Sequence, residues 1–233
     1  MSLTVDIWSD VACPWCYIGK KRFEAGLAQF AHRDQVEVTW HSFELDPGMP
    51  MEISGSLVER LAKKFGTSQA QVLAMNAQIT GLAAQEGIQF QLDRVKPTNT
   101  FLAHQLIHFA AEHDQQDAMK ERLLQAYFSD GLKVSDLETL GNLASELGLD
   151  ANAARAALSQ AQFAEAVRAD ERHAAELGIS GVPFFVFDGR YGVSGAQAAE
   201  TFLDVLNQVW EREHAVVAVA ADGPSCDDET CAI

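Results

Sequence analysis

The chain has 233 residues, 48% of them hydrophobic, with 33 acidic against 17 basic residues and a formal net charge of −16. That length allows one large domain or a domain carrying a sizeable insertion, and the acidity argues against nucleic acid and anionic membranes as partners. No apolar run approaches the roughly 20 residues that span a bilayer, so no membrane partner is expected either.

The N-terminal residues, Met-Ser-Leu-Thr-Val-Asp-Ile-Trp, show no basic n-region, apolar h-region or cleavage site, so the expected location is cytoplasmic. In that compartment a disulfide tends to be transient and catalytic. The 4 cysteines are too few for a disulfide scaffold and fall as two close pairs, Cys13/Cys16 and Cys226/Cys231.

Leu3 to Trp8 alternates apolar and polar residues and predicts a strand, which Ser9 and Asp10 end. Pro14 suits a first helical turn, where its missing N–H costs nothing, and Tyr17, Ile18, Phe23, Leu27 and Phe30 mark one helical face to about Ala31. Val36 to Phe43 alternates again as a second strand, broken by the Asp46–Pro50 stretch. From about Ser54 to Gly178 the pattern is helical, with N-cap signals at Thr67-Ser68 and Ser135-Asp136 and a short strand signal only at Ile88–Phe90. Gly181 to Phe187 then reads as a buried strand, Asp188-Gly189 as a hairpin turn, and Tyr191 to Gly195 as the returning strand. A last amphipathic helix covers Ala196 to Arg212, and an acidic tail follows from His214 to Ile233.

This order implies an α/β sheet domain split by a helical block, with boundaries at 1–45 plus 179–213, 46–178 for the helical insertion, and 214–233 for the tail. Cys13-Pro14-Trp15-Cys16 lies where the first strand passes into the first helix. A thiol at a helix N-terminus faces unpaired backbone N–H groups and the positive end of the helix dipole, which favour thiolate. Two sulfurs one turn apart are close enough to form a disulfide, so the motif predicts thiol–disulfide exchange. Cys13, at the helix start, is expected to be the exposed nucleophile and Cys16 the buried resolving thiol.

Strand, C-x-x-C, helix, strand, then Val182-Pro183 before a hairpin and a final helix resembles the thioredoxin fold, and the helical insertion resembles the DsbA arrangement. The strings Ser9 to Lys20, Pro97 to His104, Tyr127-Phe128 and Gly181 to Phe185 resemble the FrnE group of DsbA-like oxidoreductases. That group is related to 2-hydroxychromene-2-carboxylate isomerases and kappa-class glutathione transferases. The resemblance implies a cis peptide at Pro183, with the Val182 backbone facing the reactive sulfur and pairing with an extended substrate. It also places Asn99 and His104 near the mouth of the site, on the substrate side.

Asp10 and the overall negative charge oppose a thiolate, and Lys20 and Lys21 offset them weakly. Cys13 is therefore expected to resemble the thiol of thioredoxin (about 7) rather than that of DsbA (about 3.5). Trp15 is either a hydrophobic landing for substrate or a residue packed against the helical block. Cys226 and Cys231 are candidates to shuttle a disulfide to Cys13/Cys16; a static clip and a weak metal site are the other readings. His104 and His108 have zinc-ligand spacing without an H-E-x-x-H string, so core or surface histidines are expected, and His41 and His173 are read as structural.

The leading function is disulfide oxidoreductase or isomerase chemistry on protein thiols and disulfides, without a cofactor. A low-molecular-weight thiol or a reductase is the recycling partner such chemistry calls for. Two other classes compete: a glutathione-dependent isomerase or transferase on the same fold, whose members typically carry Ser in place of a catalytic Cys, and a thiolate metal-binding or chaperone module.

Overall fold

The computed structural model describes residues 2–51, 53 and 55–213. Cys226 and Cys231 lie outside them. Four strands, β1 (Leu3–Ser9), β2 (Val36–Ser42), β3 (Phe184–Phe187) and β4 (Tyr191–Ser194), form one sheet in the order β2-β1-β3-β4. β1 pairs parallel with β2 and antiparallel with β3, and β3 pairs antiparallel with β4. The β3–β4 hairpin turns at Asp188 and Gly189, both at positive φ (47° and 64°), as a two-residue turn matched to strand twist requires.

Alternation along β1 sends Leu3, Val5 and Ile7 to one face and Trp8 to the other. On the first face lie α1 (Pro14–Gln29) and α9 (Ala199–Glu213), which pack on each other. Phe23 of α1 and Phe202 of α9 meet Phe185 with ring centroids 5.6 and 4.6 Å away. Each such buried ring contributes about 1.5–3 kcal/mol through apolar burial.

Among the described residues, seven helices lie in sequence between β2 and β3: α2 (Leu57–Phe65), α3 (Gln69–Gln85), α4 (Phe101–Ala111), α5 (Gln116–Phe128), α6 (Leu137–Glu146), α7 (Ala151–Ser159) and α8 (Ala164–Glu176). Ser56 and Ser68 close capping boxes with Glu59 and Gln71, while Asp136 and Asp150 cap α6 and α7, so each start satisfies backbone N–H groups that the helix leaves orphaned. The buried residues of α4 to α7 are continuous with those under the sheet.

The short strand signal at Ile88–Phe90 does not become a strand; the segment is a connection without regular structure. Its apolar residues are buried by rings rather than by a ladder, with Phe90 against Phe128 at 4.9 Å and Tyr17 at 6.1 Å.

The second face of the sheet is tied to α8 by charge. His41 sits between Asp170 (Nδ1–Oδ1 2.8 Å) and Asp6 (Nε2–Oδ1 2.9 Å) and stacks on Trp8 at 4.4 Å. Both ring nitrogens donate, so the imidazole is a cation: burial opposes this, but the two carboxylates raise its pKa to about 9. Asp170 also accepts from the Ser42 N–H and pairs with His108. His41 and His108 are thus structural groups joining β2 and α4 to α8.

Candidate active site

Cys13 is the N-cap of α1, with extended backbone (φ −100°, ψ 113°), and Pro14 occupies the first helical turn. The Cys16 N–H already returns to the Cys13 carbonyl at 3.0 Å, which places both side chains at the same end of the helix. The Val182–Pro183 peptide is cis. The Pro183 ring packs onto α1 at Gly19, where a Cβ would come within 2.9 Å of Pro183 Cγ. That close approach brings the Val182 carbonyl to 3.6 Å from Cys13 Sγ, which donates to it.

Contrary to expectation, Cys13 is not on the open surface: it is 4% exposed. It forms part of the wall of a cavity of about 440 Å³ between the start of α1 and helices α2 and α3. Leu57, Leu61 and Phe65 of α2, Met75, Ile79 and Leu82 of α3, and Tyr127 and Phe128 of α5 line it. The sulfur was expected outside because a helix N-cap projects from its own helix; here α2 and α3 roof that position. Trp15 is 43% exposed and lines the same cavity, so it is not packed into the core. Cys16, one turn along, is fully buried and does not line this cavity.

The electrostatics differ from the sequence reading. Burial alone would push the Asp10 carboxyl up, but a hydrogen bond from His104 (3.2 Å) and the N–H groups of Leu45 (2.8 Å) and Ala12 (3.3 Å) hold it below the usual range. Burial keeps His104 neutral, so Nε2 carries the proton given to Asp10, and Nδ1 is left without a partner. His104 is 0% exposed and does not line that cavity. Asn99 is buried as well. Its amide donates to the Met49 carbonyl (3.0 Å) and its oxygen accepts the Phe101 N–H (2.8 Å), securing the start of α4 and the loop after β2.

The sulfur pair is likewise unlike the expectation. Its contact with Cys16, its burial and the Asp10 charge push the Cys13 thiol up. Burial also opposes ionisation of Cys16, but the Cys13 thiol, the Lys120 charge, the nearby Ser9 hydroxyl and the Asp10 N–H outweigh it and lower its pKa. Of the two sulfurs, Cys16 is therefore the one that ionises more readily. Lys20 and Lys21 take no part in this. Lys20 is locked among Glu24, Asp117 (3.1 Å) and Glu121 (3.3 Å), and Lys21 pairs with Glu121 (2.6 Å).

The cation that matters, Lys120 of α5, was missed, although a signal for it existed. Lys120, Leu123, Leu124 and Tyr127 fall at i, i+3, i+4 and i+7, so this lysine sits on the buried stripe of its helix. Tyr127 was quoted only as part of a string. It lines the cavity, and burial together with the Asp10 charge raises its phenol well above the usual value.

Residues 4–207 match the family described as the DSBA-like thioredoxin domain. The chain belongs to that family. A crystal structure of a probable DsbA oxidoreductase from Streptomyces coelicolor is 44% identical, covers 99% of both chains and superposes with a TM-score of 0.87. An uncharacterized protein of Bacillus subtilis, YwbO, is 28% identical over 204 residues, 87% of this chain and 94% of its own length. The cytosolic disulfide reductase DsbM of Pseudomonas aeruginosa, solved with GSH, shares the fold at 19% identity, with 89% and 99% coverage and a TM-score of 0.63. Family and fold together support an oxidoreductase of the thiol–disulfide class. Among the described residues no cluster of three or more His, Cys, Asp or Glu side chains could hold a metal ion, and no helix is long and apolar enough to cross a membrane.

Proposed function

We propose that the protein exchanges disulfides with polypeptide substrates, with Cys13 as the attacking sulfur and Cys16 as the resolving one. The observation that carries this reading is that Cys13, and not Cys16, forms part of the wall of the apolar cavity. Charge alone would favour Cys16 as nucleophile, but a sulfur that no substrate reaches cannot attack one. Once Cys16 has lost its proton, transfer of the Cys13 proton to it puts the thiolate on the cavity wall.

The Cys13 thiolate attacks one sulfur of a substrate disulfide, and the other leaves as a thiolate that takes up a proton. Cys16 then loses its proton and attacks Cys13. The mixed disulfide breaks, the second substrate thiolate departs, and a Cys13–Cys16 disulfide remains. Two electrons have passed from the protein to the substrate, and the reverse sequence oxidises a substrate dithiol. The Val182 carbonyl next to Cys13 offers an acceptor to an extended backbone, and Trp15, Leu61 and Phe65 offer apolar contact. A cytoplasmic location and recycling by a small thiol or a reductase are part of this reading, supported by the fold shared with a cytosolic disulfide reductase solved with GSH.

Insulin reduction measured beside reactivation of scrambled ribonuclease tests the reading. Cys13→Ser is expected to abolish both, and Cys16→Ser to trap a mixed disulfide on Cys13. Retained turnover in Cys13→Ser overturns it.

A further inference from the structure

Acidic residues outnumber basic ones in this chain, 33 to 17, and Lys20, Lys21, Arg22, Arg122, Arg155 and Arg168 are each ion-paired. Helix α2 differs. It carries Arg60, Lys63 and Lys64 against one acid, Glu59, whose carboxylate is turned to the Ser56 N–H at the helix start (2.8 Å). Among the described residues none of these three cations has a carboxylate within ion-pair range. Arg60 and Lys64 stand four residues apart, so they share one face of the helix.

That face borders the reactive sulfur. Both cations line a cavity of about 120 Å³ that adjoins the Cys13 cavity, the two having Leu57, Leu61, Lys64 and Tyr127 in common. In the wall of the Cys13 cavity Lys64 is the one charged side chain among the described residues. In the adjoining cavity the acids are Asp10 and Asp46. Asp10 is already held by His104 and two backbone N–H groups, and Asp46 is exposed and pairs with neither cation. Arg60 is half-buried, and its planar fork of five N–H donors matches a carboxylate.

We propose that Arg60 and Lys64 select polypeptide substrates with an Asp or Glu side chain close to the disulfide-bonded cysteine. The carboxylate accepts from the Arg60 fork, and the Lys64 ammonium lies on the path between that fork and Cys13. A cavity of about 440 Å³ is on the order of 10 Å across, the rise of about three extended residues, so the acid belongs within that span of the cysteine. The inference rests on Cys13 being the attacking sulfur; the two cations take no part in the bond changes. A polypeptide fits better than a small anion because Leu57, Leu61, Phe65, Ile79 and Leu82 make the rest of the wall apolar. A ligand offering carboxylates alone leaves that wall uncovered, whereas a polypeptide brings an apolar side chain and an acid together.

The test uses the full chain with Cys16→Ser, which holds the mixed disulfide on Cys13. Two peptides of one sequence carry Asp or Asn two residues after a cysteine joined to 2-thiopyridine. The rate of peptide attachment to Cys13 is read by mass spectrometry of the digested chain, which separates it from attachment to Cys226 or Cys231. The Asp peptide is expected to attach about tenfold faster than the Asn peptide, and Arg60→Gln with Lys64→Gln to bring that ratio close to one. Both peptides are read on the same protein, so a loss of folded material cancels from the ratio. Glutathione disulfide is the third arm, expected to lose less than about threefold when both cations are removed.

A ratio near one before the cations are removed, or a ratio that survives their removal, overturns the proposal. A loss with glutathione disulfide equal to that of the Asp peptide overturns the choice of a polypeptide and gives the site to a small anionic thiol. Absence of any adduct on Cys13 overturns the exchange reading itself, whereas adducts formed at equal rates leave exchange standing and remove only the selectivity.

Discussion

Gly19→Ala sets two effects of known size against each other at the point where the cis-Pro183 loop meets α1. In an ordinary helix interior, alanine in place of glycine stabilises by about 1 kcal/mol. Here the new Cβ would lie 2.9 Å from Pro183 Cγ and 3.4 Å from Ala196 Cα and Cβ. The obstructing atom belongs to a rigid ring, not to the end of a flexible chain, so the loop or the helix must move. Overpacking of this kind costs about 1–3 kcal/mol, and the net expectation is a destabilisation of about 0–2 kcal/mol. The direction of the displacement matters more than its size. The loop moves away from α1 and carries the Val182 carbonyl off Cys13 Sγ, now 3.6 Å away, so disulfide exchange should fall several-fold. Gly81 of α3 is the internal control: nothing lies within 4 Å of its Cβ position, and Gly81→Ala should stabilise by up to about 1 kcal/mol with turnover unchanged. Urea unfolding and insulin reduction on both variants check this. If Gly19→Ala stabilises as much as Gly81→Ala and keeps full turnover, the claim that glycine is needed there for close packing is wrong.

The His41 clamp should make stability depend on pH. A pKa raised from 6.5 to about 9 by folding contributes stability that is full below pH 6.5 and lost as pH rises through 9, by roughly 3 kcal/mol at most. Lys120 acts with the opposite sign above about pH 8, so the quantity to follow is the difference in urea midpoint between wild type and His41→Gln. A difference that stays constant from pH 6 to 9.5 would show that the imidazole is not the ionising group. Asp10→Asn removes the charge that helps push the Cys13 thiol up; alkylation of Cys13 at pH 7 should quicken several-fold, at a stability cost of about 1–3 kcal/mol. An unchanged alkylation rate would mean that the carboxylate does not govern that sulfur. Phe65→Ser, at a 55% exposed cavity-lining residue, should lower kcat/KM for protein disulfides by about tenfold, the loss of one apolar contact, and leave a small aliphatic disulfide unaffected. Equal losses on both substrates would remove the cavity from the argument.

What the sequence revealed follows from how far apart the interacting residues lie in the chain. The strands, the Asp188-Gly189 turn and the α3 and α6 caps depend on residues a few positions apart, and all four strands appear, two where alternation and two where the apolar run and its hairpin turn put them. Phe184–Phe187 begins later than the expected Gly181 because the preceding residues form the cis-Pro183 loop. The position of Cys13 at a helix start was equally local. Its burial was not, because the roof comes from α2 and α3, more than forty residues away. For the same reason charge was misassigned: Lys20 is near the sulfurs in sequence but is neutralised by Glu24, Asp117 and Glu121, whereas Lys120 reaches them only through the fold. The short Ile88–Phe90 signal failed for a related reason. An apolar–polar–apolar triplet states only that its outer residues are buried, and Phe128 covers Phe90 without a strand partner.

The two parts of the molecule contribute different things to the sulfur pair. Strand β1, the start of α1 and the Pro183 loop supply geometry: an N-cap sulfur, a second sulfur one turn away, and a backbone carbonyl opposite. The side chains that set the protonation of that pair come from both parts, Asp10 and Ser9 from the end of β1 and Lys120 from α5, with His104 of α4 acting through Asp10. Tyr127 of α5 and the residues of α2 and α3 then control access. With the same Cys13-Pro14-Trp15-Cys16, a change confined to α5 would therefore alter redox equilibrium, and a change confined to α2 would alter substrate range. Lys120→Met and Phe65→Ser test that division when measured on both assays. The first should move the glutathione equilibrium while leaving relative substrate preference alone, and the second should do the reverse. If either variant shifted both properties together, the insertion would be acting on the sulfurs as a single mechanical body, and its charge and its surface would not be separable functions.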